Sequence, residues 1–294
     1  MLRSKDAMKL FTSHAISSLA KNDFSILHKT IHEYLIPQKL PLKISELFDL
    51  TLSKTSIDYK GEYFYKNVIA QKLFLNRHGE KATMLAEFRV GANKADCVIL
   101  NGISTCYEIK TEFDTLNRLP EQLSSYTKIF DKVSVISANK HLDKICALLP
   151  ENIGLFELTE RGAIKEVIRA NMLNTPIEPK IMMQSLRMQE YKYIVEDFFG
   201  TLPKMKNTEI FDYCLDKFYK IPHDKLKILF RKTLKKYRAN DFHFIKQLPD
   251  SLISSAICYN ITKNEQNILL DILDKYIDGK NICTFQSCEV NGTN

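Results

Sequence analysis

A predicted β-hairpin, residues 96–110, carries three charged side chains whose types and spacing could do chemistry. Asp96 lies on its first arm, and Glu108 and Lys110 lie on its second arm. Asn101-Gly102 supplies the turn, because glycine accepts a positive φ at no steric cost. Side chains on a strand alternate between the two faces, so Glu108 and Lys110 share one face.

The length of the hairpin loop decides whether Asp96 joins that face. A two-residue loop would place Asp96 opposite Tyr107, on the wrong face. A three-residue loop, 100–102, pairs Ile99 with Ile103 and places Asp96 opposite Cys106. Asp96 is then diagonal to the second acid, roughly 7–8 Å away. We predict the three-residue loop, because it gathers the apolar residues on the other face as a core: Cys97, Ile99, Ile103, Tyr107 and Ile109.

Two carboxylates and an ammonium group on one sheet face are costly unless they are paired or coordinated. A divalent cation relieves the repulsion between the carboxylates, and hard oxygen ligands suit Mg²⁺ or Mn²⁺. Such an ion can lower the pKa of a bound water and stabilise charge on a phosphate. The alternative is a solvated ion pair on an edge strand, which is common.

Asp96, Glu108 and Lys110 resemble the D…E-x-K signature of the PD-(D/E)XK nuclease superfamily. Gln122 and Tyr126, on the helix that follows, are similar to the Q-x-x-x-Y element of its RecB-like branch. The surrounding residues 85–158 resemble an uncharacterised bacterial family within that superfamily. The proline that often precedes the first acid is replaced by alanine in this chain.

The resemblance implies a metal-dependent phosphodiesterase on a restriction-endonuclease-like fold, a mixed α/β sheet flanked by helices. It implies that Asp96 and Glu108 bind the metal, together with Ile109, and that Lys110 is the catalytic lysine. It also implies that Gln122 and Tyr126 contact the site or the nucleic acid.

Two further acids are predicted as accessory metal ligands, and the sequence does not choose between them. Glu62 lies at the start of the predicted helix 60–74, where an acid also helps the helix dipole. Glu87 lies on the strand before Asp96. The Glu-x-Lys pattern alone is weak evidence, since the chain repeats it at Glu178 and Glu190.

Periodicity predicts four regions along the chain. Residues 1–60 form a helical N-terminal segment, and 61–175 form the nuclease-like core. In that core, strand 132–138, helix 140–148 and strand 153–158 predict a βαβ crossover, and 163–169 one more strand. Residues 180–279 form a basic, all-helical domain, and 280–294 a disordered tail.

The net charge of +7 is concentrated between residues 180 and 246, where 15 Lys/Arg face 8 Asp/Glu. A local basic surplus favours a polyanionic partner. The amphipathic helix 225–238 is predicted either to contact phosphates or to present an ordinary solvated face. DNA is the favoured partner over RNA, and no membrane partner is expected.

The leading interpretation is a Mg²⁺- or Mn²⁺-dependent bacterial or phage nuclease acting on DNA in defence, toxin action or repair. The alternatives are a catalytically silent nucleic-acid-binding or interaction module on a nuclease fold and an RNA-directed nuclease toxin. Seven scattered cysteines without metal spacing, and no signal-peptide pattern, favour a cytoplasmic location. A homodimer or a partner protein is a further expectation, since many nucleases cut duplexes as two-fold dimers.

Overall fold

A computed structural model describes residues 3–35 and 41–277. The predicted tail 280–294 lies outside the described residues. Contact clustering divides the chain into two compact units. One unit combines Met1–Asn67 with Asp241–Asn294, and the other is Val68–Asn240. None of the helices in the described ranges is long and apolar enough to cross a bilayer.

The unit Val68–Asn240 is built on a six-stranded sheet whose strands lie side by side in chain order. They are β1 (Thr83–Val90), β2 (Asn93–Asn101), β3 (Ile103–Lys110), β4 (Lys132–Ser137), β5 (Gly154–Leu158) and β6 (Ile164–Ile168). The neighbours β3, β4 and β5 are parallel, and the other neighbouring strands are antiparallel. Two helices connect the parallel strands: α1 (Leu119–Tyr126) and α2 (Leu142–Leu148).

The predicted mixed α/β sheet, with helical segments before and after it, is confirmed. The strand–helix–strand pattern of β4, α2 and β5 agrees with the predicted crossover, and β6 is the predicted additional strand. Parallel neighbours require such a crossover, because a tight turn can join only antiparallel strands.

Four C-terminal helices belong to the same unit as the sheet: α3 (Pro179–Gln184), α4 (Met188–Phe199), α5 (Asn207–Lys220) and α6 (His223–Tyr237). In α6 the buried side chains recur at helical spacing, at Leu226, Leu229, Phe230, Thr233 and Leu234. The four apolar ones join sheet residues such as Val98 and Val135 in one hydrophobic core. The boundaries therefore differ from the predicted separate domain 180–279, because these apolar helix faces are covered by the sheet.

The other unit is mainly helical and has its own hydrophobic core. Its N-terminal part contains helices Ser4–Ala7, Met8–Phe11, Ser13–Leu19, Ser25–Thr30, Ile31–Leu35, Ile44–Asp58 and most of Glu62–Ile69. Its C-terminal part contains Phe242–Ile245, Asp250–Leu252, Ile253–Cys258 and Lys263–Leu273. The short strands Leu42–Lys43 and Tyr276–Ile277 pair antiparallel and join the two parts. The short helices Ala70–Leu75, Asn76–His78 and Gly79–Lys81 precede β1 in the sheet unit.

Gly154, at the start of β5, lies where the sheet leaves no room for a side chain. A Cβ at this position would lie 2.6 Å from Ser134 Oγ and 2.9 Å from Ala170 Cβ. We expect Gly154→Ala to lower the free energy of unfolding by about 1–3 kcal/mol, because overpacking forces neighbouring atoms apart. Urea denaturation of the full chain measures the change. Ser134→Ala is the control, because it alters the same contact by removing an oxygen rather than by adding a carbon. An unchanged midpoint for Gly154→Ala would show that this contact is not close.

Candidate functional site

The hairpin β2–β3 turns more tightly than predicted. Asn101 pairs with Ile103, and only Gly102, at φ +71°, lies between them. The last pair of the ladder is Cys97 with Tyr107, so the next position sets Asp96 directly opposite Glu108. The predicted three-residue loop and its register are therefore wrong by two positions. The predicted shared face is nevertheless correct, because a shift of two residues returns every side chain to the same face.

Glu108 and Lys110 form a buried ion pair at the end of β3. Lys110 Nζ donates to Glu108 Oε1 at 2.7 Å and to Gln122 Oε1 at 2.9 Å. The hydroxyl of Tyr126 lies 2.9 Å from Glu108 Oε2 and 2.6 Å from the carbonyl oxygen of Lys94, and its single hydrogen is shared between them. Helix α1 thus brings the predicted Gln and Tyr to the predicted Glu and Lys.

The environment changes the acidity of the two oxygen groups in this network. Burial raises the pKa of Glu108 above its ordinary value, and the Lys110 ammonium opposes that rise. Burial also raises the pKa of Tyr126 far above its usual range, and the Glu108 carboxylate adds to the rise. Tyr126 therefore keeps its proton and acts as a hydrogen-bond donor in the network.

Glu87 and Asp96 bring carboxylate oxygens within 4.8 Å of one another. The strand pairs on either side, Ala86 with Cys97 and Phe88 with Ala95, place the two acids opposite each other. The ladder skips this position, and Glu87 has φ +51°. Positive φ is uncommon for a residue with a side chain and marks local strain, which often accompanies function.

The three acids differ in burial and in the protein groups that they contact. Both oxygens of Glu108 accept hydrogen bonds within the buried network, whereas Asp96 is half-buried and Glu87 is exposed. Asp96 Oδ2 accepts the main-chain N–H of Ile109 at 2.6 Å. As an isoleucine, Ile109 can offer a metal only its main-chain carbonyl. Whether Glu108 and Ile109 bind metal remains a prediction.

Glu62, the other predicted accessory ligand, lies in the helical unit. It occupies the first turn of Glu62–Ile69, and its carboxylate pairs with Lys66 Nζ one turn later at 2.5 Å. This is the helix-start position considered from the sequence. Its role as a metal ligand remains a prediction.

A second polar network, which the sequence reading did not assign, fixes α1 against β2. The buried Asn93 donates to Glu121 Oε1 at 3.1 Å and to Ser125 Oγ at 2.9 Å, and Arg118 donates to its Oδ1 at 3.2 Å. Arg118, Glu121 and Ser125 are spaced three and four residues apart, so they share one side of the helix. That spacing is the signal that could have revealed the network. It holds the helix that carries Gln122 and Tyr126.

The other two Glu-x-Lys sequences have different structural settings. Glu190 is buried at the start of α4, where Oε2 accepts the N–H of Arg187 at 2.7 Å. Arg238 forms a two-point pair with the same carboxylate, at 2.7 and 2.6 Å. Glu178 immediately precedes α3. The hairpin copy differs from both in having an acid directly across the sheet.

A sequence model of the family described as Bacteriophage P4 protein cII matches residues 55–259, more than half of the chain. The chain belongs to this cII family. Protein cII of Enterobacteria phage P4 is 22% identical over 219 residues, covering 71% of this chain and 81% of that protein. A solved structure of a protein of unknown function from Silicibacter pomeroyi has 14% identity and a TM-score of 0.33. The matched region covers 50% of this chain and 98% of the Silicibacter pomeroyi protein.

The region matched by the cII family includes Glu62 and all the residues of the hairpin and of α1 described above. The family's description states no activity. The features of this region that bear on function are the Glu108 network and the Glu87–Asp96 pair.

The strain at Glu87 gives a prediction that separates stability from function. We expect Glu87→Gly to be more stable than Glu87→Ala by about 1 kcal/mol, because only glycine adopts positive φ without cost. Both variants lose the carboxylate, so both should weaken the predicted Mn²⁺ binding equally. Urea denaturation and Mn²⁺ titration measure the two effects.

Arg89, exposed on the same strand, is the matched control for this comparison. Its φ is not positive, so Arg89→Ala should be more stable than Arg89→Gly, the reverse order. The same order at both positions would contradict the strained backbone at Glu87.

Proposed function

We propose that the chain is a Mg²⁺- or Mn²⁺-dependent nuclease that hydrolyses phosphodiester bonds, with DNA as the favoured substrate. The observation that carries the proposal is the buried network beside Asp96, in which Glu108 and Lys110 of β3 bond to Gln122 and Tyr126 of α1. These residues match, position by position, those by which the chain resembles the PD-(D/E)XK superfamily.

Stability alone is a poor explanation for this network. Only 9% of the Lys110 side chain and 2% of the Glu108 side chain are exposed. Desolvating two charges typically costs as much as their attraction returns, so apolar residues of similar volume often serve a fold as well. A buried pair at the end of a strand, next to two further acids, is better explained by chemistry.

The donor set fits a hard divalent cation. Glu87 and Asp96 offer carboxylate oxygens within 4.8 Å of each other. The carboxylate of Glu108, on the same sheet face as Asp96, is a further oxygen donor. Oxygen donors of this kind are those that Mg²⁺ and Mn²⁺ prefer. When bound, the ion would supply an activated water and neutralise charge on the scissile phosphate.

Lys110 is the residue we assign to the reacting phosphate. Two of its three ammonium hydrogens are used, on Glu108 and Gln122, and the third can reach a water or a phosphate oxygen. Such a donor stabilises the negative charge that develops during hydrolysis. Gln122 and Tyr126 act as positioning residues, because they hold the ammonium and the carboxylate from α1.

The net charge of +7 supports a polyanionic substrate. The cations of α6, however, are less available to such a substrate than expected. Lys227 and Arg231 pair with the buried Asp131, and Lys232 pairs with Asp197. Lys235, further along α6, donates to the main-chain carbonyl of Lys81. Arg238, the residue after the helix, pairs with Glu190. Cations committed to internal partners offer little to phosphates, so these contacts favour the ordinary-surface interpretation of this helix.

One observation favours the alternative of a catalytically silent binding module. Both oxygens of Glu108 are engaged by Lys110 and Tyr126, an arrangement that is complete without any further ligand. In such a module the network would persist as a structural element and DNA binding would not need metal.

The experiment is a nuclease assay with the purified full chain on linear, circular and single-stranded DNA and on RNA. Each substrate is incubated with Mg²⁺, Mn²⁺ or EDTA. Glu108→Gln and Asp96→Asn are compared with Lys192→Met, which alters the lysine of a Glu-x-Lys sequence outside the hairpin. We expect metal-dependent cutting of DNA that the first two substitutions abolish and the control preserves.

The outcomes separate the alternatives. Faster cutting of RNA than of DNA would identify the RNA-directed nuclease. DNA binding without cutting in any metal would favour the silent module. Failure to cut any substrate, together with no Mn²⁺ binding, would overturn the nuclease proposal.

A further inference from the structure

A cavity of about 170 Å³ lies on the face of the sheet opposite the Glu108 network. Its floor includes Ile99, Thr105 and Tyr107, odd-numbered hairpin residues that point away from the face of Asp96 and Glu108. One ordered water needs only about 10–15 Å³ of such space, so the cavity has room for a small ligand.

Three cations from three separate segments line this cavity. Arg77 comes from the short helix Asn76–His78, Lys132 from the first position of β4, and Arg169 from the residue after β6. In the described part of the chain, none of the three forms an ion pair within 4.0 Å, in contrast to Lys227, Arg231 and Lys232 of α6. Glu166 is the one acid of the lining, so the cavity keeps a surplus of two positive charges.

Neutral hydrogen-bond donors complete the lining. Asn101 Nδ2 donates to His78 Nδ1 at 2.8 Å, which leaves the hydrogen of the neutral imidazole on Nε2. Burial, followed by the charge of Arg77, lowers the pKa of His78, so the ring is neutral at pH 7. Burial raises the pKa of Tyr107 to about 12, so its hydroxyl keeps its proton.

We propose that this cavity binds a phosphate monoester, with Arg77, Lys132 and Arg169 holding the phosphate. A dianion suits a cavity lined by three cations, and guanidinium groups match phosphate oxygens in geometry. The rings of Tyr107 and Phe156, with centroids 6.2 Å apart, offer an apolar surface to the organic part of the ligand. Free nucleotides and the 5′-phosphate ends of nucleic acids share this chemistry. The site is independent of the proposed nuclease activity.

Calorimetric titration of the full chain in EDTA tests the proposal without metal-dependent cutting. The probes are inorganic phosphate, a nucleoside 5′-monophosphate and a 5′-phosphorylated oligonucleotide. The last two are compared with the nucleoside and with the oligonucleotide that lacks the 5′-phosphate. We expect phosphate-dependent binding that Lys132→Gln and Arg169→Gln each weaken about tenfold or more, as loss of a charge-assisted hydrogen bond does. Glu166→Gln should strengthen binding, because it removes the opposing charge.

Lys165→Gln is the matched control, since Lys165 is exposed on β6 and lies outside the cavity lining. It should leave binding unchanged, and so should Glu108→Gln on the other sheet face. Preference for the monophosphate or for the oligonucleotide distinguishes a free nucleotide from a strand end, and either supports the site. The proposal is overturned if no probe binds through its phosphate, or if Lys165→Gln weakens binding as much as Lys132→Gln.

Discussion

Lys110→Met is expected to slow the proposed metal-dependent cleavage by about a hundredfold or more, the usual cost of losing one preorganised donor to a developing negative charge. The methionine keeps the length of the side chain and removes its ammonium group. It also removes the donor to Glu108 and to Gln122, so the network loses two of its hydrogen bonds. Single-turnover rates at saturating Mg²⁺ measure the effect on the chemical step.

The same substitution should destabilise the sheet unit. Glu108 would be left buried without its ammonium partner, and breaking a buried pair typically costs about 3–5 kcal/mol. The double variant Glu108→Gln, Lys110→Met removes both charges, and should recover most of that stability while remaining inactive. Urea denaturation of the single and double variants thus separates loss of fold from loss of chemistry.

Two results would contradict this account of Lys110. Cleavage by the Lys110→Met variant at the wild-type rate would remove the lysine from the reaction. A double variant that is as unstable as the single one would show that the charges do not depend on each other. Lys192→Met should change neither activity nor stability appreciably, because that side chain belongs to neither network.

The sequence predicts the faces of the hairpin better than its register. Alternating polarity assigns Asp96, Glu108 and Lys110 to one face. That assignment is unchanged when the register shifts by two residues. The register itself depends on the turn, and Gly102 alone closes it where a two- or three-residue loop was weighed. Turn preferences could not anticipate that pairing would continue to Asn101. The result places the two acids closer than the predicted diagonal.

The sequence identifies the members of the Glu108 network but not the role each one takes. The motif spacing indicates Glu108, Lys110, Gln122 and Tyr126 together, and the structure brings all four into hydrogen-bond contact. Which oxygens remain open to a ligand depends on partners from α1, which is a matter of three-dimensional packing. Similarly, the positive φ of Glu87 is a local feature of the backbone that composition does not reveal.

The predicted domain boundaries differ most from the structure. Prolines near residue 177 resemble a linker, yet the helices beyond them share a core with the sheet. The last helices instead join the N-terminal segment, and Tyr259 donates to the carbonyl of Phe11, 248 residues away. The sequence of an amphipathic helix shows that one face is buried, but it does not show which distant segment packs against that face.

Asp131→Asn is expected to lower the free energy of unfolding of the sheet unit by about 3 kcal/mol. Only 4% of the Asp131 side chain is exposed, and its Oδ2 accepts from Ser104 N, Ser104 Oγ and Arg231 Nη1 within 2.9 Å. Lys227 lies 3.5 Å from its other oxygen. An asparagine would remove the negative charge and turn an amide NH₂ toward donors, leaving two cations of α6 without their counter-ion.

Asp197→Asn is the matched control. Asp197, on α4, also pairs with a cation of α6, Lys232, but at a more exposed position than Asp131. Its effect should be a small fraction of that at Asp131 and should shrink further in high salt, whereas the buried pair is screened much less. Because Asp131 links β3 to α6, the loss should appear as one cooperative transition that moves to lower urea. A separate, unshifted transition would mean that α6 unfolds independently of the sheet. Equal losses for the two variants would show that burial does not determine the strength of the pair.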